Sequence, residues 1–288
     1  MLVSFSYRFR NSLVEKIDPR ARWIFSILLL FTITLFWDIR FLLFFLALTL
    51  GQYALARLTW RETRRAWLFI FFIMMMMVIV NTIITSAGTI GEVMQGGHPL
   101  VQFSLPIFGR ALNFTLTIER LWFGLTQIVR ILSISALFLV IPFTMDPRQY
   151  GATFRGLGLP DRLAYSLDLA FRFVPTLSRD FQITLDAQKA RGYEVEKLQG
   201  GLISQIRKMA PLVVPVTMNA ILSGEDITNA MDLRCFGLHR RTWIQQLHYR
   251  WPDYLVIGLG ILLLAVSIWL KAQGYGGFWV PGWLIPSP

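Results

Sequence analysis

Five long apolar runs separated by arginine-bearing connectors constrain this chain more than any other feature. They are Trp23–Trp37, Phe41–Ala56, Trp67–Ile84, Leu121–Ile141 and Tyr254–Leu270. A helix rising 1.5 Å per residue needs about 20 apolar residues to cross a hydrocarbon layer of about 30 Å. Leu121–Ile141 meets that length, and Trp67–Ile84 and Tyr254–Leu270 come close to it. The first two runs are shorter and need flanking residues, with Asp38-Ile39-Arg40 as a tight hairpin between them. Pro211–Leu222 is a candidate sixth, apolar but short and proline-rich, and reads as the inner part of a helical hairpin dipping toward the membrane face. The expected fold is therefore all-α: a polytopic membrane protein of about five spans.

Composition agrees with that class. The 288 residues are 55% hydrophobic and 14% aromatic, with ten Trp and eight Tyr suited to the headgroup level. The net charge of +11 brings no nucleic-acid-binding motif with it, so the expected partner of the charge is anionic lipid. One cysteine, Cys235, excludes an internal disulfide framework and a multi-cysteine metal site. His98, His239 and His248 are scattered outside the spans and are read as non-ligands.

The basic residues also orient the spans. Arg8, Arg10, Lys16, Arg20 and Arg22 precede the first, and Arg57, Arg61, Arg64 and Arg65 lie between the second and third. The connector Thr85–Arg120 holds only Arg110 and Arg120, and its Gly96–Pro99 stretch reads as an extracytoplasmic loop. Because cytoplasmic segments are enriched in Lys and Arg, the N-terminus is expected inside and the C-terminus outside the plasma membrane. Residues 1–22 lack the apolar core and cleavage site of a secretory signal. Three regions result: 1–142 with four spans, a cytosolic helical module at 143–253, and 254–288 with the last span and tail.

The cytosolic region carries a duplication. Leu157-Gly158-Leu159-Pro160-Asp161 is a break followed by a helix start. Pro175 is expected to interrupt that helix. A new amphipathic run then follows, with Leu177, Phe181 and Leu185 as its stripe and Arg179, Asp186 and Lys189 off it. The run ends at Ala190-Arg191-Gly192, where Gly192 is the expected left-handed terminator. A second helix, starting at Ser223 or Asp226, ends at Leu233-Arg234-Cys235, with Gly237 as its expected terminator. Within the span Leu121–Ile141, Arg130 either faces protein or sits at the interface. Met74–Met77 reads as adaptable packing material.

Taken in order, Arg172-Phe173-Val174-Pro175, Ala187-Gln188-Lys189-Ala190-Arg191-Gly192 and Glu225-Asp226 through Ala230-Met231-Asp232-Leu233-Arg234 resemble the transmembrane coupling subunit of energy-coupling factor transporters. Ile17-Asp18-Pro19-Arg20-Ala21 and Leu157-Gly158-Leu159-Pro160 extend the resemblance over most of the chain. The resemblance implies an ATP-driven importer of vitamins or transition-metal ions. Two ABC-type ATPase subunits would bind the ATP, and a separate small membrane subunit would capture the substrate. This chain would be non-catalytic and hold no cofactor of its own. Each Ala-Arg-Gly tip of the family docks in a groove of one ATPase, which places that role on Ala190, Arg191 and Gly192. The second tip departs, with Leu233 and Cys235 flanking Arg234, and that departure would let two ATPases be told apart.

Rival readings are a membrane-embedded enzyme, such as a protease or lipid transferase, a self-sufficient secondary transporter, or a membrane scaffold for another assembly. No phosphate loop, two-histidine metal helix, nucleophile elbow or intramembrane carboxylate pair supports the enzyme, and no inverted repeat supports the secondary transporter. The transported substrate is not encoded in this chain's motifs.

Overall fold

The computed structural model describes residues 9–84, 99–107, 110–193, 202–239, 242–244 and 246–281. Among them are eight α-helices: α1 Pro19–Leu35, α2 Ile39–Leu55, α3 Trp60–Ile84, α4 Ile118–Thr144, α5 Tyr150–Gly156, α6 Asp161–Ala190, α7 Leu202–Leu233 and α8 Trp251–Ala272. The chain falls into two compact units, divided after Met145 and again after Leu247.

The first unit holds α1 to α4 and α8. The segments Trp60–Val80, Leu121–Thr144 and Trp251–Ala272 are long and apolar enough to cross a membrane. The helices α1 and α2, at 17 residues each, reach about 26 Å and are the shorter members, as their sequence runs imply. Contacts fix the helix directions. Asp18 meets Asp253, and Gly260 lies against Phe25 and Leu28. The Trp37 N–H then donates to the Gly276 carbonyl, so α1 and α8 run parallel. Gly260 lets the two helices approach closely, since a Cβ there would come within 3.1–3.2 Å of the Leu28 and Phe25 side chains and these would have to give by a few tenths of an ångström. Ala56 and Val140 share a cluster, and Val78 packs on Gly124, so α4 runs with α2 and against α3. The helices α1, α3 and α8 therefore point one way, and α2 and α4 the other.

The apolar core of this unit is built from Phe25, Leu29, Ile33 and Phe36 of the first hairpin, with Leu42, Phe45, Val129 and Leu137. Its helix ends are closed by named donors. Asp18 and Asp38 each accept from the backbone N–H two residues on, capping α1 and α2. The guanidinium of Arg22 donates to the carbonyl and hydroxyl of Thr144, and that of Arg10 to the Phe143 carbonyl and Glu62. Two cations thus sit at the carbonyl end of α4, where the helix dipole favours them. Arg130 faces protein: it is buried within α4, donates to the Phe36 carbonyl and lies 4.1 Å over the Trp37 ring.

Part of the connector between α3 and α4 forms strands. Strands β1 Pro99–Ile107 and β2 Arg110–Thr117 pair antiparallel, with Phe103 opposite Phe114. The alternation Val101, Phe103, Leu105, Ile107 is the period-two signal for it. This hairpin is the one β element among the described residues, and the architecture is otherwise helical. Residues 96–98 lie outside the described residues.

The second unit holds α5, α6 and α7. A Cβ on Gly151 would come within 2.8 Å of the Ala164 carbonyl, so glycine is what lets α5 approach α6. Two expectations are corrected here. Pro175 does not break the helix: α6 runs continuously from Asp161 to Ala190. Neither Ser223 nor Asp226 starts a helix, since α7 is one element from Leu202 to Leu233 with Pro211 and Pro215 inside it. A proline forfeits one backbone hydrogen bond, and a helix of 30 or 32 residues anchored on both sides absorbs that loss. Pro211–Leu222 is accordingly a section of α7, not a dipping hairpin of its own.

The buried Asp253 carboxylate joins the starts of α1 and α8, accepting the Asp18 N–H at 2.8 Å and the Arg250 N–H at 2.6 Å. Asp253→Ala strands both donors and is predicted to cost about 3 kcal/mol. A lowered thermal midpoint of the detergent-purified protein checks this; an unchanged midpoint would mean that water reaches both groups.

Candidate functional site

The helices α6 and α7 form an antiparallel pair. Near one end the Tyr165 hydroxyl donates to the Met231 sulfur at 3.6 Å, and near the other the Gln188 amide donates to the Pro211 carbonyl at 3.4 Å. The second bond has a local cause. Pro215 has no N–H to give the carbonyl four residues before it, and Gln188 supplies the missing donor.

On α6 the half-buried face is Phe171, Val174, Ser178, Phe181 and Leu185, at helical spacing, while Arg172, Arg179, Asp186 and Lys189 are exposed. Leu177, read as part of the stripe, lies at its exposed edge. On α7, Ile227 and Met231 are half-buried, and Val213, Val214, Met218, Ile221 and Leu222 are exposed.

Both arginines are the capping residues of their helices, and the two caps share one geometry. After α6, the Gly192 N–H donates to the Lys189 carbonyl at 2.9 Å and the Tyr193 N–H to Gln188 at 3.0 Å. After α7, the Cys235 N–H donates to Asp232 at 2.9 Å and the Phe236 N–H to Met231 at 3.0 Å. This double bond pattern is the Schellman motif, which needs a left-handed residue directly after the cap. Gly192 supplies it with φ 85°, as expected from sequence. The expectation for the second helix is corrected: Cys235, with φ 54°, is the terminator, and Gly237 comes two residues too late.

The triplets Ala190-Arg191-Gly192 and Leu233-Arg234-Cys235 are thus equivalent in backbone, and all six residues are exposed. They are not brought together. With α6 and α7 antiparallel and 30 and 32 residues long, the two caps lie about 40 Å apart. Sequence reasoning placed both arginines at helix ends but missed Cys235 as a terminator. The signal lay in the shared register, since Gly192 and Cys235 each follow their arginine directly. Among the described residues, no group of three or more His, Cys, Asp or Glu side chains is placed to hold a metal ion.

Comparison with known proteins matches a family model described as cobalt transport protein, CbiQ, over residues 11–244. The energy-coupling factor transporter transmembrane protein EcfT of Staphylococcus aureus is 24% identical over 273 residues, 92% of this chain and 95% of that protein. Its counterpart in Ruminiclostridium cellulolyticum is 24% identical over 272 residues, 91% and 94% of the two chains. That of Thermosediminibacter oceani is 29% identical over 210 residues, 66% and 78%.

A left-handed conformation costs a non-glycine residue about 1 kcal/mol, which Cys235→Gly is predicted to recover and Gly192→Ala to impose. Hydrogen exchange of the Phe236 and Tyr193 amides reads each cap separately. Protection should rise at the first and fall at the second. A fall at Phe236 in Cys235→Gly would contradict the assignment of Cys235.

Proposed function

The chain belongs to the CbiQ family and is a membrane component of the energy-coupling factor transporter type, and from that premise we propose that it couples ATP hydrolysis by partner subunits to uptake through a third. Two ABC-type ATPase subunits, identical or different, dock on Arg191 and Arg234. A substrate-binding membrane subunit captures a vitamin or transition-metal ion. This chain binds no ATP, needs no cofactor or nucleic acid, and performs no catalysis.

The observation that carries the reading is the repetition of one cap, with arginine at its centre, at the two ends of an exposed hairpin. A single arginine near a helix C-terminus is ordinarily a solvated residue that complements the dipole. Two in one backbone geometry, about 40 Å apart, suit two copies of a globular partner better than one small ligand. A guanidinium holds a carboxylate through two parallel hydrogen bonds, so it transmits direction as well as attraction. When the ATPases close on ATP, the tips move with them, and α6 and α7 carry the displacement toward the substrate-binding subunit. Only a difference in docking energy between open and closed ATPases performs this work.

The orientation proposed for the bundle supports the same scheme. Arg10, Arg20, Arg22 and the exposed Arg61, Arg64 and Arg65 lie at the end where α1, α3 and α8 begin. That is the cytoplasmic end by the positive-inside rule, with the C-terminal tail on the opposite face.

Reversing charge in Arg191→Glu/Arg234→Glu is predicted to abolish ATPase co-purification or to uncouple hydrolysis from uptake, with each single variant intermediate. Full assembly and transport in the double variant would refute the docking role.

A further inference from the structure

Each arginine cap is tied across the hairpin to the facing helix. In each, the residue three before the arginine closes the Schellman turn with its carbonyl, and that same residue reaches the other helix. At the first cap this residue is Gln188, and its cross-helix contact is the 3.4 Å amide bond to the Pro211 carbonyl. At the second it is Met231, and the contact is aromatic. The half-buried Tyr165, in the second turn of α6, donates its hydroxyl to the Met231 sulfur and lays its ring 4.9 Å from that of Phe236. Met231 and Phe236 are the two ends of the hydrogen-bonded turn on which Arg234 sits, joined by the 3.0 Å bond between their backbones. Tyr165 touches both ends at once.

The surroundings reinforce that clamp. The guanidinium of Arg155 pairs with Asp161 at the start of α6 and lies 5.2 Å from the Trp243 ring, which holds the chain beyond Arg234 to the same base. A thioether and two rings in contact restrain rotation from several directions.

We propose that Tyr165 is a positioning residue for Arg234, fixing the direction in which that guanidinium is presented. The functional consequence rests on the docking role above. A tip held in one direction returns ATPase displacement to the hairpin. Tyr165 itself meets neither ATP nor substrate.

The chain offers its own probe, because Cys235 is its sole cysteine, is exposed and directly follows Arg234. A nitroxide on Cys235 in the assembled transporter reports order at that cap. Tyr165→Ala is expected to raise the mobile fraction of the label about threefold or more. It should also lower the substrate moved per ATP hydrolysed. Tyr165→Phe keeps the ring and should restore both readouts. Tyr165→Leu, which fills the space without a ring, should restore expression but neither readout. Gln188→Ala should leave the Cys235 label unchanged.

An unchanged label in Tyr165→Ala overturns the proposal, as does an equal effect of Gln188→Ala. A mobile label with unaltered coupling also overturns it. Failure of the docking role is a separate result, namely normal transport in Arg234→Glu with the label as ordered as in the parent protein.

Discussion

Backbone carbonyls at helix ends are the groups this molecule must satisfy, because each helix leaves four without an internal partner and a lipid interior offers no water to replace it. Much of its polar chemistry answers that need. Arg10 and Arg22 close the end of α4, and Arg130 reaches across the bundle to the carbonyl just past α1. The Trp37 N–H finds the Gly276 carbonyl. Arginine suits this work, since its fork of donors holds a carbonyl while its planar face rests on an aromatic ring, as Arg130 does on Trp37. A charge inside an apolar span thus reads as a structural clasp between α4 and the turn after α1.

The same need is met differently in the hairpin of α6 and α7. There the carbonyls turn back onto their own chain through the Schellman bonds, leaving the arginine side chains exposed at the tips. The bundle uses arginine inward, to close helices, and the hairpin presents it outward. Pro215 adds a local demand on the Pro211 carbonyl, which Gln188 meets from the facing helix. A proline that would weaken an isolated helix thereby becomes a point of attachment between two.

The membrane helices were legible because apolar length is a strong signal, and Asp18 and Asp38 cap α1 and α2 within a few residues of where their apolar runs begin. The two arginine tips were legible because each closes a periodic stretch. What escaped the sequence depended on tertiary support. Pro175 and Ser223 look like breaks when a helix is judged alone, yet α6 and α7 continue through them because each has the other to pack on. Cys235 escaped because left-handed conformation is normally the province of glycine, and Gly237 stood nearby as a better candidate. Tyr165 escaped because its partners lie 66 and 71 residues further along the chain, at Met231 and Phe236. The hairpin of β1 and β2 was present as an alternation of apolar residues but was overshadowed by the spans on either side.

The central claim is that each arginine cap meets its own ATPase. It is tested most directly by placing a photo-crosslinking residue at Ala190 in one variant and at Leu233 in another, and irradiating the assembled transporter in its native membrane. The account predicts a crosslink from each position into an ATPase subunit, with a yield that changes when a non-hydrolysable ATP analogue closes the pair. Crosslinks confined to lipid or to the substrate-binding subunit at both positions would contradict it.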